Sequence, residues 1–324
     1  MNKPVNRITI GILGCSDIAR RKFIPAINQT KTAILKAIAS RNPAACRDLN
    51  AELISYEALL DHPEIQLVYI SLPNHLHEEF VIRALHAGKH VICEKPLGLS
   101  TASVERMIDR ARERRLFLFE NLMYLHHPQH AAVKSVIEEG KFGNIRAFRS
   151  IFCFPFPGAG NFRLDPAMGG GAFHDLACYA VSSAAHFLRG RCRSFSGYAL
   201  CKNGLNISMN GTALTTADEI FSYSLAFGQP YECLYEIIGE QGNIRVDRAY
   251  TTPADMENRI QVTINGKDAS FSVPPADHFK LMIEDVCAMI LAGKSFEAMY
   301  RRNLAMAQMA EQMWKGCHHE ELCQ

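Results

Sequence analysis

The sequence has few of the features that mark membrane, secreted or nucleic-acid-binding proteins. Only one of its 324 residues is tryptophan, and no run approaches the roughly 20 apolar residues that a membrane-spanning helix needs. Lys and Arg number 35 against 33 Asp and Glu, so the net charge of +2 gives no broad attraction to nucleic acid or anionic lipid. These absences favour a globular protein that binds small molecules and has neither nucleic acid nor membrane as a partner.

Cysteine is plentiful but shows no pattern. The 11 cysteines are odd in number, no two have the C-x-x-C spacing, and the N-terminus lacks the charged-then-apolar pattern of a secretory signal. Zinc ribbons, thioredoxin chemistry and a disulfide framework are therefore not expected. We predict reduced thiols in a cytoplasmic protein.

The length predicts two domains, residues 1–122 and 123–324, because it exceeds what one hydrophobic core usually supports. The first domain alternates short β-branched apolar runs with longer amphipathic ones, which is typical of a parallel sheet with crossover helices. The fold class is therefore α/β, with a doubly wound N-terminal sheet of the Rossmann type. Its predicted strands are 8–13, 34–39, 67–71, 90–93 and 116–120, and its predicted helices are 21–28, 44–50, 77–87 and 100–112.

After about residue 121 the pattern changes to that of an α+β domain. Consecutive apolar runs with tight polar connections such as Asn265-Gly266 predict a mostly antiparallel open sheet. The predicted strands are 145–154, 194–201, 209–215, 221–227, 233–239, 243–247 and 260–273. The predicted helices are 129–139, 171–188 and two within 278–316.

The first strand leads into a tight turn and a helix start, which can form a cofactor site. Gly14 permits the turn, and the amides at the start of the helix can receive a pyrophosphate. Ser16 stands where a dinucleotide fingerprint would place glycine, so the motif by itself fits a structural strand–helix corner equally well. The predicted cofactor contacts in this segment are Gly11, Gly14, Cys15, Ser16, Asp17 and Ile18.

Ser40 and Arg41 end the second predicted strand, where the residue that contacts the adenosine ribose should fall. A hydroxyl and a guanidinium suit a 2′-phosphate, whereas a carboxylate would repel it. NADP(H) is therefore favoured over NAD(H), and the alternative is that Arg41 only caps a loop in solvent.

The end of the third strand adds Leu72, Pro73, Asn74 and His77 as cofactor-facing residues at the same edge of the sheet. His75 and His77 alternate as metal ligands can, but the neighbouring glutamates are too close in sequence to complete a ligand set. We predict no metal site.

Three motifs in this order and spacing resemble the Gfo/Idh/MocA family of NAD(P)-dependent oxidoreductases. They are a Gly-Cys-x-x-Ile-Ala turn at Gly14, the tripeptide Glu94-Lys95-Pro96, and a triple glycine, 169–171, that leads to Asp175 and Tyr179. The resemblance covers essentially the full length. Many members have histidine at the position of Tyr179, whereas tyrosine is typical of deoxysugar 3-ketoreductases, glucose-fructose oxidoreductase, and xylose and dihydrodiol dehydrogenases.

The resemblance implies that Lys95 lies beside the nicotinamide and the substrate oxygen, with Pro96 shaping the turn. Glu94 and Asp175 would frame the site or relay protons. A phenol with a pKa of about 10 is protonated at neutral pH, so Tyr179 can donate to a forming alkoxide, and a nearby ammonium stabilises that oxyanion. The alternatives are that Tyr179 packs its ring in a helix and that Lys95 is an exposed turn lysine.

The resemblance also implies substrate contacts in the second domain. Asn161 and Arg163 precede the triple glycine, and a guanidinium can bind a hydroxyl or phosphate with defined geometry. Tyr124 and His127 lie in the junction between the predicted domains and would line the substrate site. His174 is a second candidate acid.

These features together predict NADPH-dependent reduction of the C3 carbonyl of a dTDP-linked keto-deoxysugar. The alternatives are an NADP-dependent dehydrogenase of a free sugar or a trans-dihydrodiol, and a non-catalytic NADP-binding regulator. By family analogy, the open sheet of the second domain is expected to mediate a homodimer or homotetramer.

Overall fold

The structure, a computed structural model, describes residues 7–293 and 295–322. The chain forms two compact units. The first comprises the chain up to Asn121 together with Phe279–Ala307, and the second comprises Leu122–His278 together with the chain from Gln308 onward.

The first unit contains a six-stranded sheet in which every pair of neighbours is parallel. The strand order is β3-β2-β1-β4-β5-β6, so the order reverses between β1 and β4, as in doubly wound folds. This topology confirms the predicted Rossmann-type fold. The strands are β1 (Ile8–Leu13), β2 (Ala33–Ala39), β3 (Glu52–Leu53), β4 (Leu67–Ile70), β5 (His90–Cys93) and β6 (Leu118–Glu120).

The helices of this unit begin with a π-helical turn, Ala19–Phe23, that continues as α1 (Ile24–Gln29). They are followed by α2 (Tyr56–Asp61), α3 (His77–His86) and α4 (Thr101–Arg114). The helix predicted over 44–50 is wrong, because this segment forms only a single 3₁₀ turn, Pro43–Cys46. Strand β3 and helix α2, where Ser55 caps the helix by accepting a hydrogen bond from the Ala58 amide, were not predicted.

The C-terminal helices are α7 (His278–Leu291) and α8 (Glu297–Lys315). The predicted boundary after residue 122 differs from the observed division, since Phe279–Ala307 belongs to the first unit. In this segment the Tyr300 hydroxyl donates to the Leu116 carbonyl at 2.5 Å, and Asn303 Nδ2 donates to the Leu118 carbonyl at 3.0 Å. These bonds give partners to one carbonyl just before β6 and to one within it, at the edge of the sheet.

The second unit contains a nine-stranded sheet in the order β14-β13-β12-β11-β7-β10-β9-β8-β15. Two of its pairs, β7 with β10 and β8 with β15, are parallel and the rest are antiparallel, which confirms a mostly antiparallel sheet. The run predicted over 260–273 is two strands joined at Asn265 and Gly266, and β15 was not predicted. The strands are β7 (Ile145–Phe154), β8 (Cys192–Lys202), β9 (Leu205–Thr215), β10 (Ile220–Phe227), β11 (Glu232–Gly239), β12 (Gly242–Asp247), β13 (Asn258–Ile264), β14 (Lys267–Val273) and β15 (Cys317–Glu321).

Two helices, α5 (Pro128–Glu138) and α6 (Ala172–Phe187), complete the second unit. Helix α6 packs against β7, β9 and β10 and is buried along most of its length, so it is held firmly against the sheet. Among the described residues, no helix has the length and apolar character needed to cross a membrane.

Candidate active site

In the first unit, the predicted cofactor segments follow the carboxyl ends of parallel strands, which meet at one edge of the sheet. Hydrogen bonds tie neighbouring strand ends together: Gly14 donates to Ala39 O at 2.8 Å, and Glu94 donates to Ile70 O at 2.9 Å. Ligands in open parallel sheets bind at this edge, next to the point where the strand order reverses. The edge therefore fits a dinucleotide.

The turn at Gly14 can be formed only by glycine. Its φ is +88°, and a Cβ atom there would lie 2.8 Å from the Ser71 carbonyl oxygen. Ser16, which replaces the fingerprint glycine, accepts a hydrogen bond from the Ala19 amide at 3.2 Å and so caps the following helical turn. Gly11 lies inside β1, where a Cβ atom would clash with Leu59 and Ile65, so its small size serves packing.

The remaining residues of this turn have protein partners. Asp17 is exposed and pairs with Arg21, while Ile18 is half-buried. Burial and the neighbouring Cys46 thiol raise the pKa of Cys15 to about 12, so its thiol stays protonated.

Ser40 and Arg41 follow β2, as predicted. The Ser40 hydroxyl accepts a hydrogen bond from the Asn42 amide at 3.1 Å, and Arg41 is exposed beside Tyr56. Burial raises the pKa of Tyr56, and the charge of Arg41 opposes that rise. An exposed guanidinium, with no carboxylate directly after the strand, fits the 2′-phosphate of NADP.

His77 joins two of the predicted cofactor segments. Its ring is fully buried, with Nδ1 2.7 Å from Pro96 O and Nε2 2.9 Å from Leu72 O. Burial lowers the pKa of His77, and hydrogen bonds to the two carbonyls and the charge of Glu94 oppose this lowering. The imidazole thus lies between the segment after β4 and the turn that carries Lys95, and its predicted contact with the cofactor stays a prediction.

Lys95 lies in a turn that is held by hydrogen bonds to two acidic side chains, Glu94 within the turn and Glu120 on β6. Glu94 Oε1 accepts hydrogen bonds from Tyr69 at 2.5 Å and from Asn121 Nδ2 at 2.6 Å. Glu120 accepts one from the Leu97 amide at 3.0 Å, and burial raises the pKa of Glu120. The Lys95–Pro96 peptide bond is cis. The turn is therefore fixed from both sides, and its lysine is half-buried.

In the second unit, α6 places Asp175 and Tyr179 four residues apart on one helix face. The triple glycine before it allows a close backbone approach, because a Cβ atom on Gly170 would lie 2.6 Å from the Arg163 carbonyl oxygen. The Gly171 amide donates to that same carbonyl at 2.9 Å. This approach brings the segment around Arg163 to the start of α6.

Arg163 and Asp175 form an ion pair. Arg163 Nε donates to Asp175 Oδ2 at 2.9 Å, with side-chain exposures of 32% and 7%. The Asn161 side chain accepts a hydrogen bond from the Arg163 amide at 3.0 Å and so shapes the turn. Two of the predicted substrate contacts, Asn161 and Arg163, thus form one connected group with Asp175.

Tyr179 is buried among aromatic rings. The ring centroids of Phe152, Tyr250 and Tyr124 lie 5.2, 5.3 and 5.6 Å from its own. The Tyr124 hydroxyl, predicted to contact substrate, lies 2.6 Å from Ser182 Oγ. Tyr124 therefore supports the helix that carries Tyr179.

The histidines have structural contacts. His127 is buried and its Nδ1 accepts a hydrogen bond from the Gln129 amide at 3.2 Å, which caps α5. His174 Nδ1 lies 3.0 Å from the Gly170 carbonyl oxygen, and burial lowers the pKa of both imidazoles. Within 7–293 and 295–322, no group of three or more His, Cys, Asp or Glu residues is arranged to hold a metal ion.

Several supporting residues were missed by sequence reasoning. Tyr69 lies in a buried strand, and Tyr250 lies in a loop 100 residues from its partner Ser150. Neither belongs to a recognisable motif, so the sequence carries no signal for their roles.

Comparison with known proteins agrees with this geometry. Residues 8–122 match the Gfo/Idh/MocA "Oxidoreductase family, NAD-binding Rossmann fold", and residues 130–245 match the "GFO/IDH/MocA C-terminal domain". The dTDP-3,4-didehydro-2,6-dideoxy-alpha-D-glucose 3-reductase of Actinomadura kijaniata is 33% identical, with 98% of each chain covered. A D-xylose 1-dehydrogenase (NADP(+)) of Haloferax volcanii is 29% identical, over 88% of this chain and 90% of the other.

Solved structures give the same relationship. A 3-ketoreductase from Actinomadura kijaniata, in complex with NADP and TDP-benzene, superposes with a TM-score of 0.94 at 30% identity, covering 98% of this chain and 100% of the other. Structures of that enzyme include a tyrosine-to-phenylalanine variant and a lysine-to-alanine variant. The two altered positions are separated by the same number of residues as Lys95 and Tyr179 are here.

The predicted resemblance to the 3-ketoreductase branch and the predicted two-part α/β fold are therefore confirmed. With both family domains matched and similarity over nearly the whole length, the chain belongs to the Gfo/Idh/MocA family of NAD(P)-dependent oxidoreductases.

Proposed function

We propose that this protein reduces the C3 carbonyl of a dTDP-linked keto-deoxysugar with NADPH. The observation that carries the proposal is the 33% identity, over 98% of both chains, to a protein named as a dTDP-keto-deoxysugar 3-reductase. The presence of tyrosine rather than histidine at position 179 agrees with it, because a phenol is a ready proton donor to a carbonyl at neutral pH.

The cofactor is held by the edge of the six-stranded sheet. The turn at Gly14 and the helical turn after Ser16 receive the pyrophosphate, and Arg41 binds the 2′-phosphate through charge-assisted hydrogen bonds. When bound, NADPH supplies the hydride. The contacts of His77 keep the turn of Lys95 in place, and the segments after β4 and β5 would lie beside the nicotinamide end of the bound cofactor.

Lys95 and Tyr179 act on the carbonyl oxygen of the substrate. The ammonium of Lys95 stabilises the negative charge that develops there, and the hydroxyl of Tyr179 donates the proton. Asp175 holds Arg163 through their ion pair, and Arg163 with Asn161 contacts the sugar or its diphosphate. Tyr124 and His127, which are buried, act by shaping this region of the second unit.

The second unit also supports self-association. Tyr198 is 59% exposed on β8 and Ile220 is 48% exposed on β10, so the nine-stranded sheet presents large apolar side chains to solvent. We infer a homodimer or homotetramer, to be checked by light scattering.

The test is NADPH consumption with dTDP-3,4-didehydro-2,6-dideoxyglucose, compared with D-xylose and a trans-dihydrodiol in the presence of NADP⁺. We expect turnover of the nucleotide sugar and little with the others. Turnover of xylose or the diol alone would favour a dehydrogenase, and NADPH binding without any turnover would favour a regulator.

Tyr179→Phe tests the mechanism. The substitution removes only the hydroxyl, so kcat should fall by about 10²-fold or more, while NADPH affinity stays at the wild-type value. Lys95→Met removes the charge and should also lower kcat. Wild-type turnover by Tyr179→Phe would show that another group donates the proton.

A further inference from the structure

Tyr250 packs against Tyr179 and against two other aromatic rings that lie beside Tyr179. It is fully buried in the loop after β12, and the planes of the two rings are inclined by 35° at a centroid distance of 5.3 Å. Tyr250 also packs edge-on against Tyr124, with ring centroids 5.1 Å apart. The ring centroid of Phe152 lies 5.6 Å from that of Tyr250. Both of these rings also lie beside Tyr179, so Tyr250 supports the packing of the Tyr179 ring directly and through its neighbours.

The hydroxyl of Tyr250 links a strand to the helix of Tyr179. It lies 2.7 Å from Ser150 Oγ on β7 and 3.2 Å from Ser183 Oγ on α6. Ser183 Oγ in turn donates to the Tyr179 carbonyl at 2.7 Å, with the Ala180 carbonyl as a second acceptor at 3.1 Å.

The number of hydroxyl hydrogens fixes the direction of this series of hydrogen bonds. A serine hydroxyl has a single hydrogen, and that of Ser183 is directed to helix carbonyls. Tyr250 must therefore donate to Ser183, and Ser150 must donate to Tyr250. The chain of donors runs from β7 through Tyr250 to the backbone of Tyr179, and such chains strengthen each of their bonds.

We propose that Tyr250 is a positioning residue for Tyr179, which it holds by ring packing and through Ser183. The inference rests on the proposed function, in which the Tyr179 hydroxyl donates a proton. That hydroxyl lies at the far end of the ring, so a small rotation of the side chain moves it away from the reacting oxygen. Proton transfer requires hydrogen-bond distance, and misplacement by about 1 Å can cost 10²-fold in rate.

The test compares Tyr250→Phe with Tyr235→Phe. Both tyrosines are fully buried, but the Tyr235 hydroxyl lies 3.0 Å from His130 Nδ1, and the Tyr235 ring is 6.4 Å from that of Tyr250. For Tyr250→Phe we expect kcat to fall roughly ten-fold with unchanged KM for NADPH and sugar. The solvent deuterium isotope effect on kcat should rise, because proton donation becomes slower relative to hydride transfer.

Tyr235→Phe loses the same atom from an equally buried site and should keep the wild-type kcat and isotope effect. If both variants behave alike, Tyr250 contributes only to stability and the inference is overturned. Ser183→Ala breaks the link to Tyr250 while keeping every ring, so it should lower kcat in the same direction even if Tyr250 variants fold poorly.

Tyr250→Phe in a Tyr179→Phe background separates the proposed function from the positioning role of Tyr250. If Tyr250 acts through the Tyr179 hydroxyl, Tyr250→Phe should not lower kcat further in that background. An equal loss in both backgrounds would refute the positioning role and leave the proposed function intact. Unchanged turnover in Tyr179→Phe alone would refute the proton-donating role of Tyr179, and the inference with it, whereas the proposed function would fail only if the nucleotide sugar were not turned over.

Discussion

Replacing His77 with leucine should weaken NADPH binding, although the ring is fully buried. Its two nitrogens face Pro96 O at 2.7 Å and Leu72 O at 2.9 Å, so they join segments that follow two neighbouring strands. Leucine has a similar size but no N–H group. The substitution therefore removes the connection and leaves the packing largely intact.

The magnitude follows from the number of hydrogen bonds lost. Burial lowers the pKa of His77, so above its usual value of 6.5 the ring is neutral and donates one N–H. One N–H can serve only one of the two carbonyls, so one buried carbonyl loses its donor when the ring is removed. A buried carbonyl that loses its donor costs about 1–3 kcal/mol, which corresponds to roughly 5-fold to 150-fold in a dissociation constant if all of it appears in binding. Part of the cost lowers stability, so we expect NADPH affinity to fall roughly ten-fold.

The assay is fluorescence titration with NADPH, alongside urea unfolding. His90→Leu is the matched control, because His90 Nδ1 accepts a hydrogen bond from the Phe117 amide at 2.9 Å at the start of β5, the opposite end from Lys95. It should lose stability while binding NADPH normally. Wild-type NADPH affinity in His77→Leu, or an equal loss in both variants, would refute the role of the connection.

Two further predictions concern the first unit. Arg41→Ala should raise the dissociation constant for NADPH about ten-fold or more while leaving that for NADH unchanged, since only NADPH has the 2′-phosphate; equal effects on both cofactors in titrations would contradict the assignment. Burial raises the pKa of Glu120 above its usual 4.5, so the folded protein keeps this proton where the unfolded chain has lost it, and stability falls as pH rises through the folded pKa. Glu120→Gln keeps an acceptor for the Leu97 amide, so in urea unfolding the variant should be more stable than wild type at neutral pH but not below pH 4.5. Lower stability of the variant at neutral pH would show that attraction to positive neighbours outweighs the cost of burying the charge of Glu120.

Hydrophobic patterns located the longer elements because each buries a continuous face. Strands β1, β5 and β7 have the predicted bounds, and α3 and α6 are within one residue of them. The segments that hydrophobic patterns failed to predict are short. Strand β3 has two exposed residues, and Pro43–Cys46 is one 3₁₀ turn, so neither is long enough for a period to appear.

The sequence predicted which residues carry the chemistry of the site, but it gave no prediction for the residues that support them. Lys95 and Tyr179 lie in motifs of local sequence, whereas the partners of His77 are backbone carbonyls, which any residue carries. Conversely, Ser16 departs from the fingerprint, yet its hydroxyl caps the helical turn, a function that glycine could not perform. The residue type determines which bonds a side chain can form, but only the fold determines which groups it bonds to.

Three neighbouring tyrosines illustrate this limit. Tyr124, Tyr179 and Tyr250 carry the same phenol, and the sequence assigned Tyr124 to substrate and gave Tyr250 no role. In the structure, the Tyr124 hydroxyl is 2.6 Å from Ser182 Oγ and the Tyr250 hydroxyl is 3.2 Å from Ser183 Oγ, while burial raises the pKa of Tyr250. A phenol whose hydrogen is directed to a buried serine is poorly placed to protonate a substrate. If Tyr179 is the proton donor, as proposed, Tyr124 and Tyr250 serve to hold it, and substitutions at Tyr124 or Tyr250 should alter the rate of proton donation by Tyr179.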